Sequence, residues 1–312
     1  MITTGTMGPL TDKDLARMAF QGYKEHTALF PRLFSVATST YRYEKVRQMG
    51  GFSNFENLGE GASVTFGDPA LGPEQTFIQE PYGFGFMYTD IMDEDDLHGD
   101  VAKRYTKMLV RAGAHTREVL HMDVLNDGYA GASYVCADGL SLFNAAHTYK
   151  SGTFRNVLPV ATDLDQAALE DAYALFALMK SHEGVQATEI EPSTLLVSKR
   201  GNNRFNAFSL LESESVYSNA NDEKNPFGPK GMADLEHLKI VASPHLTDED
   251  AWSLHALPGP RGVEFGLMSF NRRPLTLTTD GDIRTGNAIV KATFRNSRGI
   301  VDPRCAVGSP GA

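Results

Sequence analysis

The sequence predicts an α+β protein, and three observations carry that prediction. Residues 93–126 show the three-and-four spacing of apolar and small side chains that is typical of one long helix. A second helical stripe runs from Thr162 to His182. Beyond residue 190, short apolar or alternating segments separated by turns predict strands. Helices therefore come mostly first and a mixed or antiparallel sheet comes late, which is the α+β order.

The bulk composition is that of an ordinary globular chain of about two domains. The chain has 312 residues, of which 41% are hydrophobic and 22% charged, and its net charge is −10. This acidity argues against a dedicated nucleic-acid-binding protein, because such proteins are usually basic. Cys136 and Cys305 form no CxxC pattern, so neither a disulfide scaffold nor a metal knuckle is predicted. No signal-peptide pattern and no membrane-spanning apolar run are present, so we expect no membrane partner.

The first ninety residues predict short helices followed by an exposed β excursion. We expect helices at 11–23 and 28–36, a polar loop at 43–60, and strands at 62–66 and 76–89 with a turn between them. In the second strand, Tyr82, Phe84, Phe86 and Tyr88 share one face at period two. An isolated hairpin is marginal in water, so this aromatic face needs a surface of its own domain or of a neighbouring molecule.

The helix predicted from Asp93 to Asn126 is long, at about 50 Å for a rise of 1.5 Å per residue. Four acids open it, where the peptide dipoles favour negative charge, and Asn126-Asp127-Gly128 ends it. The side chains expected on its packed face are Val101, Tyr105, Met108, Leu109, Ala112, Thr116, Val119 and Leu120. Gly99 and Gly113 indicate a bend or a close contact.

A basic stripe lies on the same helix. Lys103, Lys107 and Arg111 recur every four residues, and such like charges destabilise an isolated helix. The stripe therefore either faces solvent or meets acidic side chains of another copy, with phosphate contact as a third option. The candidate acids in the β excursion are Glu60, Asp68, Glu74 and Glu80.

The second half of the chain predicts compact loops, two helices and several strands. Residues 129–154 read as loops with short strands, and Thr162 to His182 as a helix. Arg204 to Ser213 reads as a helix with Phe205, Phe208 and Leu211 facing inward. Strands are expected at 194–198, 237–242, 251–256, 263–270, 275–279, 287–294 and 299–307, with a turn at 280–282.

A search for catalytic and binding motifs finds none. The sequence has no GxGxxG after a strand, no phosphate-binding GxxxxGK[ST], no HExxH and no GxSxG. The acids at 93–96 and 280–282 are better explained as a helix cap and a turn than as calcium ligands. We therefore expect no catalytic residue, no cofactor and no metal ion. An α+β hydrolase with an unrecognised site is the alternative from the enzyme class.

Several segments in a fixed order resemble the major capsid proteins of tailed bacteriophages, which have the HK97-type fold, and in particular the Mu-like major head subunit group. Residues 138–147 read DGLSLFNAAH, which is similar to the DG-x-x-LF-x-x-AH stretch of that group. Residues 195–199 (LLVSK) precede NPFG at 225–228. Residues 238–248 (LKIVASPHLTD), with Ala251 and Trp252 after them, resemble another family passage. The resemblance spans nearly the whole chain.

The resemblance implies a division of the chain and a structural role without enzymatic activity. Residues 1–57 would form an N-terminal arm, 58–92 an E-loop, 93–191 with 283–312 a P-domain containing spine helix 93–126, and 192–282 an A-domain. The chain would be a major head protein that self-assembles, as hexamers and pentamers, into an icosahedral shell around phage DNA. The shell of an encapsulin-type nanocompartment is the alternative with the same fold.

The resemblance also implies partners and a location. They are copies of the chain itself, a scaffolding protein, a portal, a decoration protein and packaged DNA bound without sequence specificity. Assembly would take place in the host bacterial cytoplasm, and the final location would be the virion capsid. The side chains expected to make inter-subunit contacts are Phe66, Asp68, Glu74, Glu80, Tyr82, Phe84, Phe86, Tyr88, Lys103, Lys107 and Arg111.

Overall fold

The fold is α+β, as predicted. The computed structural model describes residues 28–49, 55, 57–61, 63–64, 66, 71–89, 91–92, 101–150, 152–180, 190–213, 225–229, 238–257, 266–281, 285 and 287–312. Over these residues the helices are α1 (Val101–Asn126), α2 (Gln166–Leu178) and α3 (Asn203–Glu212). Single 3-10 turns lie at Phe30–Arg32 and Pro303–Cys305.

Twelve strands of the described residues form two four-stranded sheets and two hairpins. They are β1 (Ser35–Thr38), β2 (Tyr43–Met49), β3 (Leu71–Ile78), β4 (Glu80–Tyr88), β5 (His147–Tyr149), β6 (Gly152–Phe154), β7 (Thr194–Ser198), β8 (Lys239–Ser243), β9 (Trp252–His255), β10 (Leu267–Gly281), β11 (Ala288–Ile300) and β12 (Ala306–Ser309). The first sheet has the order β1-β10-β11-β4 and the second β12-β9-β7-β8. The pairs β2-β3 and β5-β6 form the hairpins.

Helix α1 packs on the first sheet, but with a different face from the one predicted. Its buried residues include Thr106, Leu109, Val110, Ala114, Arg117, Glu118, His121, Met122 and Leu125. Of the predicted face only Leu109 is buried, whereas Tyr105, Met108, Ala112 and Thr116 are exposed. The prediction failed because the buried face uses polar side chains that find partners across the sheet, which hydrophobicity alone does not reveal.

The end of α1 and its internal glycine agree with expectation. The helix ends at Asn126, and a turn follows it. A Cβ on Gly113 would lie 2.9 Å from Cδ1 of Leu275 in β10, so the glycine permits a close approach of helix and sheet. The predicted close contact is therefore confirmed at this position.

The main hydrophobic core lies around the second sheet and joins α2, α3 and the end of α1. Trp252 is fully buried in it and donates its indole N–H to the carbonyl oxygen of Thr162 at 3.0 Å. Helix α2 buries the predicted stripe, and Asp165 caps it by accepting the N–H of Ala168 at 2.7 Å. Strand β7 has the predicted bounds, and every residue of it is buried.

The N-terminal expectations are largely wrong. Residues 28–36 form a 3-10 turn followed by β1 instead of a helix, and residues 43–49 of the expected loop form β2. Ser63, Val64 and Phe66 lie outside any strand. The single strand expected at 76–89 is two strands, β3 and β4, which separate at Gln79 and join different sheets. Strand β2 escaped detection because it is mostly polar and exposed, so it has no alternating apolar pattern.

The late strands are fewer and longer than predicted. Residues 267–270 of one predicted strand and residues 275–279 of the next belong to a single strand, β10, which passes through Asn271-Arg272-Arg273-Pro274 by means of two register shifts. These irregularities accommodate a proline, which lacks the N–H of a regular ladder. In α3, Leu211 is buried as expected, but Phe205 and Phe208 are exposed. The helix at 11–23 and the helical start at 93–100 lie outside the described residues.

No helix within the described residues is long and apolar enough to cross a membrane.

Candidate functional site

The β2–β3 hairpin, together with the described residues of 55–66, is called the arm below. Tyr43 pairs with Ile78 in an antiparallel register, and the outward side chains of both are exposed. Glu74 bridges Lys45 at 2.7 Å and Arg47 at 3.2 Å within the same hairpin. The hydrogen bond from Lys45 lowers the pKa of Glu74. Glu74, predicted as an inter-subunit contact, therefore already has two basic partners in its own subunit.

The arm exposes large apolar side chains to an unusual extent. Phe55 is fully exposed and Phe66 is 95% exposed. The other exposed apolar side chains of the arm are Tyr43, Leu58, Val64, Leu71 and Ile78. Contiguous exposed apolar surface is uncommon on monomeric proteins and marks sites of association. Asp68, the other acid predicted here, lies outside the described residues.

The aromatic row of β4 is divided between the subunit's own interior and its surface. Tyr82 stacks on Phe294 of β11 with ring centroids 5.2 Å apart. Phe86 contacts Tyr105 of α1 at 5.8 Å and lies beside Tyr88, and both pack against a small core between α1 and the sheet. Phe84 alone of the four is largely exposed, at 75%. Three of the four rings therefore pack within their own subunit, and Phe84 faces outward.

The exposed face of α1 combines apolar and basic side chains. Tyr105 and Met108 are exposed on it, although the sequence placed them in the core. Lys103 and Lys107 are half-buried and Arg111 is exposed. The predicted basic stripe therefore lies on the same helix as exposed apolar side chains, and Phe84 of the edge strand β4 is exposed as well.

A buried polar network fixes the segment before β1 to α1. The carboxylate of Glu118 accepts the N–H groups of Leu29 and Phe30, each at 3.0 Å. His121 stacks on Phe30 with centroids 4.0 Å apart. Its Nε2 lies 2.8 Å from Oγ of Ser269 and its Nδ1 2.6 Å from the carbonyl oxygen of Arg117. Burial lowers the pKa of His121 to about 3, so the ring is neutral and accepts the serine hydroxyl.

The DGLSLFNAAH stretch is a folded loop held by a hydrogen bond between two of its side chains. Nδ1 of His147 lies 2.7 Å from Oδ2 of Asp138, and its Nε2 lies 3.0 Å from the carbonyl oxygen of Leu142. Gly139 has φ +80°, which allows the turn between them. Burial raises the pKa of Asp138, but the hydrogen bond and charge of His147 outweigh it, so the net shift is downward. The motif that carried the resemblance is therefore a structural device.

Two groups of side chains have the residue types of a metal or catalytic site. Cys136, Asp138 and His147 bring donor atoms within 4.8 Å of one another, but both histidine nitrogens already face oxygen partners. Ser253 Oγ lies 2.9 Å from Nε2 of His255, yet both residues are buried and Nδ1 of His255 has no hydrogen-bond partner in the described part of the chain. A serine nucleophile needs access to substrate and an oriented base, and this pair has neither.

The chain was compared with families of known proteins, and one family matches it. A family model described as "Phage capsid protein" matches residues 74–309, more than half of the chain. No curated protein is significantly similar to the sequence.

Solved structures share the fold at low sequence identity. A chain of the capsid of the cyanophage P-SCSP1u is 14% identical, with a TM-score of 0.56, over 92% of this chain and 88% of that one. A chain of the bacteriophage JBD30 capsid decorated with minor capsid protein trimers is 15% identical, with a TM-score of 0.54, over 71% and 92%. A chain of a virus-like particle from Pyrococcus furiosus is 13% identical, with a TM-score of 0.53, over 95% of this chain and 98% of that one.

The family match and the structural similarity agree with the features described above, which are two exposed surfaces and one structural loop. The exposed apolar arm and the mixed face of α1 are what a shell subunit requires, because its contacts are completed by other copies. The HK97-type fold predicted from the sequence is the fold of the phage capsids that this chain resembles in structure. The chain belongs to the phage capsid protein family and is a major capsid protein that forms the shell.

Proposed function

We propose that the chain is the major head subunit of a tailed phage, and that its arm reaches over the exposed face of α1 in a neighbouring copy. The observation that carries this proposal is that one subunit exposes two sets of large apolar side chains. Phe66 of the arm and Phe84, Tyr105 and Met108 beside α1 are all exposed in the single subunit. Burial of such surfaces against each other is the main favourable term in association.

Charge supports the same pairing. The face of α1 carries Lys103, Lys107 and Arg111, and the arm carries Glu60. Glu80, at the start of β4, lies 3.6 Å from Arg298 of its own subunit and is mostly exposed. Opposite charges at the rim of an interface direct encounter and orientation more than they add affinity. In the proposed division, the chain consists of an N-terminal arm (1–57), an E-loop (58–92), a P-domain (93–191 and 283–312) and an A-domain (192–282). Phe66 then belongs to the E-loop, and helix α1 belongs to the P-domain.

The remaining partners follow from the same role. Assembly takes place in the host cytoplasm with a scaffolding protein and a portal, and the finished shell encloses DNA that it holds without sequence specificity. The net charge of −10 suits this task, because a basic lining would bind DNA tightly and in a salt-dependent manner. The JBD30 capsid carries trimers of a minor capsid protein, and we expect a decoration protein here too.

A nanocompartment shell is the alternative with the same fold, and the family match over residues 74–309 favours the phage capsid. The two kinds of particle differ in what they enclose. Particles isolated from infected or induced cells should protect DNA from nuclease, whereas particles that contain a packaged enzyme and no DNA would support the nanocompartment.

The interface itself is tested by charge reversal. In Lys107→Glu/Arg111→Glu, the yield of particles should fall while the unassembled subunit melts near the wild-type temperature. A matched control is Lys199→Glu/Arg200→Glu, which reverses two exposed charges elsewhere. Normal particles from the α1 double variant would show that the stripe is only a solvated face.

A further inference from the structure

A polar cleft of about 300 Å³ lies where the arm leaves the first sheet. Its walls are β3 (residues 75–78), the loop 133–135 and residues 297–299 of β11. Gln75 donates to the carbonyl oxygen of Val135 at 3.1 Å and joins two of these walls. The volume falls at the lower end of the range for ligand pockets. The cleft shares Ile78 and Glu80 with the arm and its base, but its inner walls at Tyr134, Ser297 and Arg298 belong to none of the surfaces described above.

The sheet has an unpaired edge along one wall of the cleft. Strand β4 covers β11 only as far as the pair Glu80–Asn296. Strand β11 continues through Ser297, Arg298 and Gly299, which pair with β10 on their other side. Within the described residues no strand covers this last stretch. Open strand edges pair with extended segments of other chains.

Buried polar atoms without partners are concentrated at the same place. Both amide atoms of Gln79 and of Asn296, the hydroxyl of Ser297 and Nε of Arg298 have no hydrogen-bond partner among the described residues. All four residues adjoin the point where β4 begins, and Ser297 and Arg298 line the cleft. Native proteins pair nearly all such atoms with protein, water or ligand, so the unpaired Ser297 hydroxyl and Arg298 Nε in the wall of the cleft indicate an occupant that forms hydrogen bonds with them.

Arg298 determines the charge of that occupant. Its side chain is about nine-tenths buried, and its Nη2 donates to Tyr134 Oη at 2.8 Å and Tyr82 Oη at 3.1 Å. Glu80 Oε2 lies 3.6 Å from Nη1, beyond hydrogen-bond distance, and the Glu80 side chain is mostly exposed. The guanidinium therefore has one ion pair, with an exposed carboxylate that solvent screens, and its Nε has no hydrogen-bond partner among the described residues. A further carboxylate is the acceptor that this geometry fits.

We propose that this cleft binds an extended segment of a second copy of the chain, which pairs with the free edge of β11 and directs an Asp or Glu side chain to Arg298. The inference rests on the proposed shell function, because the occupant is another subunit. Copies of this chain supply the required chemistry, since it has 39 acidic against 29 basic residues. Backbone N–H and C=O groups of an extended segment also suit the unpaired polar atoms.

Photo-crosslinking in assembled particles tests the proposal. Val135 lies at the rim of the cleft and is partly exposed, so Val135→p-benzoylphenylalanine places a photoreactive group there. Particles are built from a mixture of subunits with natural and heavy nitrogen, irradiated and digested. We expect mixed-isotope adducts between this position and an acid-bearing peptide of another copy, and their loss in dissociated subunits. Adducts confined to one chain, or none, would overturn the proposal.

A pair of substitutions supplies an independent readout. Ser297→Ala removes an unpaired buried hydroxyl, so the unassembled subunit should be as stable as the wild type or more so. If a neighbour's segment pairs with that hydroxyl, the particles should dissociate several-fold faster in denaturant, and Arg298→Lys particles faster still. Unchanged dissociation rates in both variants would contradict the proposal. Absence of any particle from the wild-type chain would instead refute the shell function itself.

Discussion

The carboxylate of Asp138 and the ring of His147 form a buried pair at 2.7 Å that holds the loop preceding β5. The other ring nitrogen faces the carbonyl oxygen of Leu142, which also accepts a hydrogen bond from Asn156 at 2.6 Å. Asn156 donates in addition to the carbonyl oxygen of Pro303 at 2.9 Å. The pair therefore connects the loop to the C-terminal segment of the chain, which contributes β12 to the second sheet.

Breaking this pair should destabilise the subunit strongly. Asp138→Asn and His147→Gln each disrupt a hydrogen bond to a charged carboxylate in a mostly buried place, and we expect a cost of about 1.5–3 kcal/mol for each. A double-mutant cycle in urea should show coupling of about 1–3 kcal/mol between the two positions. Because the folded-state pKa of Asp138 is lowered, its contribution is present above the ordinary value of 3.8 and is lost as the pH falls through the folded value. Strictly additive effects would show that the two residues act separately.

Glu118 should hold the chain before β1 through its two backbone contacts. Glu118→Ala leaves the N–H groups of Leu29 and Phe30 without their acceptor, at a cost of about 2 kcal/mol or more. Glu118→Gln keeps one acceptor oxygen and loses a charge whose burial is unfavourable, so its cost should be smaller. The free energy of unfolding of the unassembled subunit in urea measures both. Equal effects of the two variants would contradict this account of the contact.

His121 and His255 should make the subunit sensitive to mild acid. Burial lowers both pKa values to about 3, well below the ordinary 6.5. Each therefore contributes stability that is complete above pH 6.5 and declines as the pH falls towards 3, by roughly 2 kcal/mol at pH 5. His121→Phe, which keeps a ring beside Phe30, should lower the pH dependence between 7 and 5 by about half. The urea midpoint at each pH is the measurement, and an unchanged pH dependence in this variant would refute the assignment.

Exposed aromatic side chains of the arm and of β4 should matter to the particle and little to the subunit. Phe66→Ser and Phe84→Ser alter side chains that are 95% and 75% exposed, so unfolding of the unassembled subunit should change by about 0.5 kcal/mol or less. Particle yield after sedimentation should fall in both. Leu178→Ser is a control that alters a comparably exposed side chain at the end of α2. Full particle yield from the two phenylalanine variants would exclude these rings from the interface.

The sequence predicted the fold class, the long helix and the elements with strong local signals. Helix α2 and strand β7 carry dense apolar stripes, and both were predicted; β7 has the expected bounds, whereas α2 ends at Leu178 and not at His182. The buried face of α1 was not, because Glu118 and His121 are buried through partners far away in sequence, at Phe30 and Ser269. Such partners become visible only when the chain is folded.

The candidate surfaces, too, could be predicted only in part from the sequence. Period two in β4 correctly grouped its four aromatic rings, yet it did not distinguish Phe84, which is exposed, from Tyr82, which stacks on Phe294. That distinction depends on where β4 pairs with β11, a contact more than 200 residues apart along the chain. The cleft at Arg298 had no sequence signal, because its walls come from three separate segments.

The central claim is that this chain completes its exposed surfaces by association with copies of itself. Electron microscopy of the purified chain, produced together with the scaffolding protein proposed above, tests that claim most directly. We expect closed shells built of rings of subunits, with the arm of one copy lying over helix α1 of the next. A preparation that contains only single subunits under these conditions would contradict it.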